Sequence, residues 1–149
     1  MRLSLAATVT LTDWSERTIW RRIANCSLPH KKIQGRVTLP FAAIQPYLCI
    51  ALAPEEHALL ARADACGGEG DAAAQNELAL VFLSQGKVKS ALYWLQRAAA
   101  QGHADAMSLL GGCHLRGEGV PRDEAQGLMW LAKAAAAGHM IAQRQLARP

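Results

Sequence analysis

The last eighty residues of this chain repeat themselves, and that restricts the fold more than any other feature. Three segments opening at Gly70, Gly102 and Gly138 align so that Ala74, Ala106 and Ala142 coincide, as do Leu78, Leu110 and Leu146. The stretches ending at His103 and His139 align equally well. There Trp94 meets Trp130, Leu95 meets Leu131, Ala98-Ala99 meets Ala134-Ala135, and Gly102 meets Gly138. The tryptophans are 36 residues apart and the first alanines 32, because SQGKVKS is shorter than RGEGVPRDE. A period of this size marks a stacked array in which one unit cannot bury its apolar face alone.

Each unit reads as helix–loop–helix, with helix pairs expected near residues 72–84/89–101 and 105–116/123–137. Gly102 and Gly138 follow alanine-rich helices, where the chain needs a left-handed residue that glycine supplies cheaply. The expected repeat core is Ala74, Leu78, Trp94, Ala98, Gly102, Ala106, Leu110, Trp130, Ala134 and Gly138. The alanines let helices approach closely and the tryptophans fill the wedge between them. Emptying a core site such as Trp130 with alanine should then cost ~3–5 kcal/mol. Half the chain is apolar but much of that is alanine, and only eight residues are aromatic, so the product is mainly α with thin, closely spaced helices.

The second unit carries Ala106-x3-Leu110-Gly111-x2-His114-x2-Gly117-x-Gly119-Val120-x2-Asp123, then Trp130, Ala134-Ala135 and Gly138. This pattern resembles the Sel1-like repeat family, with His114 at a usual tyrosine position and Gly127 at a usual alanine. The first unit is degenerate, with Phe82 at the tyrosine position. The resemblance implies an α-solenoid, a right-handed superhelix of antiparallel helix pairs, and a role as scaffold or adaptor. Units near 70–102 and 103–138, with a capping helix at 139–149, make the array 70–149. Residues 51–69 read as a linking helix from an incomplete repeat. Pro54 suits its first position, and Glu55 and Glu56 suit its positive end. An array this short would gain from dimerisation or from docking onto the N-terminal module.

Charge divides the chain differently. Residues 1–50 hold seven Lys/Arg against Asp13 and Glu16, a balance of +5, while the other 99 residues carry nine Lys/Arg and ten Asp/Glu. Such asymmetry points to a second module able to meet a polyanion. A weak helix near Leu3–Leu11 precedes a basic helix capped by Ser15, with Ile19 and Ile23 on one face. A basic hairpin follows around Gln34-Gly35, then a brief helix from Pro40. The segments Ser15-Glu16-Arg17-Thr18-Ile19-Trp20-Arg21 and Gly35-Arg36-Val37-Thr38-Leu39-Pro40 resemble the recognition helix and wing of the MerR and excisionase type of winged helix-turn-helix. Two departures are the threonine-rich first helix and Arg22, where an aromatic core residue is usual. The resemblance implies that Arg17 and Arg21 read bases while Thr18, Trp20, Lys31, Lys32 and Arg36 hold phosphates, with Arg22 in the same basic set.

Other chemistry finds little footing. Cys26, Cys49, Cys66 and Cys113 show no paired spacing and read as small buried thiols in a reducing compartment. Ser84-x2-Lys87 matches a nucleophile motif but lacks its companion motifs. Cys113 and His114, being adjacent on a helix, point apart. Metal spacing, a phosphate loop and a dinucleotide fingerprint are missing from the sequence, so neither cofactor nor metal is expected. No apolar run reaches the roughly 18 residues of a membrane span, and the first residues do not read as a signal peptide. These features lead to the expectation of a cytoplasmic, non-enzymatic regulatory adaptor. It would bind a protein through the repeats and duplex DNA through residues 1–50. The alternative is a pure protein–protein scaffold whose basic module never meets DNA.

Overall fold

The computed structural model describes residues 1–65 and 68–148, and Cys66 lies outside the described residues. Two compact units are present, residues 1–71 and 72–149.

The first unit runs β1 (Arg2–Ser4), α1 (Leu5–Thr12), α2 (Glu16–Ala24), β2 (Lys31–Ile33), β3 (Arg36–Pro40), α3 (Phe41–Ile44), a 3₁₀ turn (Gln45–Tyr47) and α4 (Pro54–Asp64). The hairpin β2–β3 turns on Gln34 and Gly35, both with positive φ (50° and 77°), the conformation that matches strand twist in a two-residue loop. The sheet has three strands in the order β1-β3-β2, all antiparallel. Residues 3 and 4 therefore belong to a strand, where the sequence suggested a helix. Leu3 pairs with Leu39, and Arg2 fastens the edge by donating from Nε to Thr38 Oγ1 and from Nη2 to Thr38 O, both at 2.8 Å.

The threonine-rich α1 is stable for a local reason. Thr8, Thr10 and Thr12 are buried, and their hydroxyls donate back to the carbonyls of Ser4, Ala7 and Thr8 at 2.8–2.9 Å. Each hydroxyl thus satisfies itself on its own helix, which is how threonine is tolerated there. Ser4 caps α1, and the buried Asp64 carboxylate accepts from both the Ser4 amide and its hydroxyl. That carboxylate adds negative charge where the helix dipole favours it. It also ties α4 to β1 and α1, so the helix expected to be a linking half-repeat packs as part of the first unit. Leu11, Ile19, Leu28, Leu39, Ile44 and Leu60 are among the buried apolar residues of this unit.

The second unit is a run of antiparallel helices: α5 (Ala72–Ser84), α6 (Val88–Ala100), α7 (Ala104–Arg116), α8 (Glu124–Ala136) and α9 (Met140–Ala147). The expected helix pairs match these within one or two residues. The turns after α6 and α8 are built identically. His103 N–H donates to Ala98 O at 3.1 Å and His139 N–H to Ala134 O at 3.0 Å. Gly102 and Gly138 hold φ of +86° and +93° with open space around them, so conformation and not crowding demands glycine. The histidine that follows each glycine caps the next helix: Nδ1 accepts from Ala106 N at 3.3 Å and from Ala142 N at 3.1 Å.

Gly111 and Gly127 mark a close approach of α7 and α8. A Cβ at Gly111 would lie 2.9 Å from the Gly127 carbonyl, and one at Gly127 would lie 2.6 Å from Leu115 Cγ. Leu115 fills the place that an alanine methyl would take, which explains the glycine at 127. Ala74, Leu78, Trp94, Ala98, Ala106, Leu110 and Ala134 are buried. Trp130 is a correction, being only half-buried, with Lys133 Nζ 4.8 Å from its ring centre. Trp94 is enclosed because a full helix pair follows it, whereas only the eight-residue α9 follows Trp130. Gly102 and Gly138 are exposed turn residues, not core. Among the free cysteines, Cys113 is buried and burial pushes its thiol upward; Cys26 is exposed, contrary to the reading of all four as buried.

Candidate functional site

Two surfaces can do chemistry, one on each unit. On the first, Asp13, Trp14 and Ser15 form the turn between α1 and α2. Asp13 takes a left-handed φ of 56°, and Ser15 Oγ accepts from Thr18 N at 3.1 Å to start α2. Ile19 is the buried anchor of α2, which leaves Arg17, Trp20 and Arg21 exposed. Trp20 Nε1 donates to Glu16 Oε1 at 3.3 Å, steadying the ring at the surface. The hairpin presents Lys31, Lys32 and Arg36, all exposed.

A cleft of about 430 Å³ gathers Trp20, Lys32, Gly35, Arg36 and Val37 with the start of α1 at Ser4, Leu5 and Ala6. Three of the eight residues assigned to DNA from sequence thus face one cleft lined by two cations and no acid. Thr18 is engaged in the α2 cap, its Oγ1 2.9 Å from Ser15 Oγ. Arg22 turns elsewhere. Its guanidinium lies 4.2 Å from the Trp14 ring centre and 5.2 Å from that of Tyr47. Cation–π contact thus holds Arg22 against these two rings.

On the second unit a groove of about 460 Å³ lies along α5, α7 and α9. The lining residues are register-equivalent. Asn76 and Leu80 of α5 correspond to Ser108 and Gly112 of α7, and Asp105 and Leu109 of α7 to Ile141 and Gln145 of α9. The mixture is amphipathic. Leu80 and Ile141 are exposed, and the side-chain oxygen of the buried Asn76 has no partner among the described residues. Two polar contacts lie nearby. His139 Nε2 is 3.2 Å from Asp105 Oδ1, while its Nδ1 accepts the cap bond. Arg116 Nε lies 2.8 Å from Glu118 Oε1; this hydrogen bond holds the Glu118 carboxyl below its ordinary range and raises Arg116. Sequence reading missed every groove residue, because the repeat motif reports what is buried between helices. The missed clue was the pair of residues two and six places after Ala74 and Ala106.

The Sel1 repeat family model matches residues 72–103 and 104–139. Residues 72–139 are thus similar to two Sel1 repeats. Among solved structures, a protective antigen present in uropathogenic Escherichia coli strains and displaying an SLR fold is 36% identical to this chain. It has a TM-score of 0.54 over 61% of this chain and 20% of its own. A Sel1 repeat protein from Oxalobacter formigenes is 28% identical, with a TM-score of 0.49 over 51% of this chain and 33% of its own. The chain therefore spans about a third or less of the length of these structures. None of the curated proteins matches it. Sel1 repeats of this kind point to protein–protein interaction.

Proposed function

We propose that the chain is a non-enzymatic regulatory adaptor that holds a protein partner in the groove of its Sel1-like unit and duplex DNA on its basic unit. The observation that carries the DNA half is the cleft where Trp20, Lys32 and Arg36 meet, beside the exposed Arg17 and Arg21 of α2. The chain order of short helix, turn, basic helix, basic hairpin and brief helix supports this reading. In that reading α2 enters the major groove and the β2–β3 wing lies on flanking phosphates, with Lys31 extending the row. For the protein half, register-equivalent positions on successive helices give a continuous amphipathic strip.

One observation favours the pure scaffold reading: Arg22, one of the eight assigned residues, is spent on Trp14 and Tyr47. The two readings part in a mobility-shift titration with random-sequence duplex at about 50 mM salt, where a non-specific DNA binder should retard DNA at micromolar protein. Retardation that disappears as salt is raised supports the adaptor. No retardation leaves the scaffold.

A further inference from the structure

Trp20 stands where the two basic elements of the first unit meet. Ile19 is the buried residue of α2, and Glu16, Arg17, Trp20 and Arg21 are all exposed. They form two pairs four residues apart, so they share one face of the helix. The Trp20 indole is 43% exposed. Toward the hairpin it lines the cleft with Leu5, Ala6, Val37 and the cations Lys32 and Arg36. Cations therefore flank it on both sides, Arg17 and Arg21 along α2 and Lys32 and Arg36 across the cleft. An indole has one polar group, the Nε1–H donor, and here that donor is engaged with Glu16 Oε1 at 3.3 Å. The Glu16 carboxylate beside it would also repel a phosphate. What Trp20 offers a ligand is its apolar ring, in surroundings that suit a polyanion.

We infer that Trp20 is a specificity-determining residue that recognises the C5-methyl group of a thymine in the major groove, and not a phosphate. The inference rests on the DNA reading above, with α2 in the major groove and the hairpin on the flanking backbone. The thymine methyl is the one apolar group that base pairs display there. It projects at the margin of the groove, close to the backbone of its own strand. Trp20 occupies the corresponding place on the protein, between the arginines that face base edges and the hairpin cations that face phosphates. Contact between ring and methyl removes apolar surface of both from water, whereas cytosine at the same place has no methyl to offer. The Glu16 bond restrains the indole before DNA arrives, which lowers the ordering cost of the contact.

Duplexes bound most tightly by the full chain are first selected from a random-sequence pool, and the best of them is remade with deoxyuridine replacing each thymidine in turn. Uracil pairs as thymine does and lacks only the methyl group. Fluorescence anisotropy then gives Kd for each duplex. The expected result is one position at which deoxyuridine weakens wild-type binding about fourfold, the factor that goes with one buried methyl-sized group. Trp20→Ala should bind thymine and uracil duplexes alike. Trp20→Phe, which keeps a ring and has no N–H, should keep the preference, and so should Arg17→Ala. Both Trp20 variants should show the wild-type helical circular dichroism spectrum, since the side chain is exposed. Wild-type affinity indifferent to uracil at every position overturns the inference, as does a thymine preference that survives Trp20→Ala. A preference lost in Trp20→Phe as fully as in Trp20→Ala also overturns it, because the N–H would then be what matters. These outcomes leave the DNA reading standing. A pool in which no duplex is bound refutes that reading and this inference with it.

Discussion

Trp94 and Trp130 occupy the same register position in consecutive repeats, so replacing each with alanine compares two environments with the side chain held constant. Trp94 is enclosed on all sides. A buried tryptophan removes ~150–250 Å² from water, and emptying such a site costs ~3–5 kcal/mol once the residual cavity is included. Trp130 is partly exposed, so the transfer part of its loss should be somewhat smaller, ~2–4 kcal/mol. The structure thus lowers the ~3–5 kcal/mol that its motif position alone suggested for Trp130. In a chain of this size each kcal/mol moves the midpoint by ~2–4 °C, so Trp94→Ala should lower Tm by roughly 6–20 °C and Trp130→Ala by roughly 4–16 °C. Denaturant unfolding of dilute protein, followed by far-UV circular dichroism, gives both values directly. Equal costs for the two variants, or a larger cost for Trp130→Ala, would refute the argument that the following helix pair determines burial at this position.

Two further substitutions probe the joints of the array. Gly111→Ala should destabilise by ~1–3 kcal/mol despite alanine's higher helix propensity, because its methyl would meet the Gly127 carbonyl; a gain in chemical-denaturation stability would show that α7 and α8 can move apart. His139→Ala removes the cap of α9 and the Asp105 contact and should cost ~1 kcal/mol, read as faster amide exchange at Ala142; unchanged exchange there would mean the cap bond is not made in solution.

The helices of the repeat were legible because their positions are written locally. Alanine, leucine and glycine recur in register, and the glycines mark the turns to within a residue or two. The half-exposure of Trp130 was not, since a motif records which side of a helix faces a neighbour but not whether the neighbour is there. In the first unit the β2–β3 hairpin was announced by Gln34-Gly35. Strand β1 was invisible for the opposite reason: three residues long, it is defined by pairing with a strand 36 residues away. Asp64, which fastens Ser4 from 60 residues further along, gave no sequence clue either. Of the basic set, Trp20, Lys32 and Arg36 meet at one cleft. The diversion of Arg22 depends on Trp14 and Tyr47, which only the folded chain brings beside it.

The claim that the basic unit reads DNA is tested most directly by the salt dependence of duplex binding, followed by fluorescence anisotropy for the wild type and two sets of variants. Each neutralised phosphate releases condensed counterions, so log affinity should fall linearly with log salt. Lys31→Ala and Lys32→Ala should weaken binding to all sequences alike and flatten that slope by about one unit each. Arg17→Ala and Arg21→Ala should instead reduce discrimination between sequences, by ~1–3 kcal/mol for each lost bidentate contact. Wild-type binding that is absent at low salt, or that is unaffected by all four substitutions, would contradict the account and leave the scaffold reading.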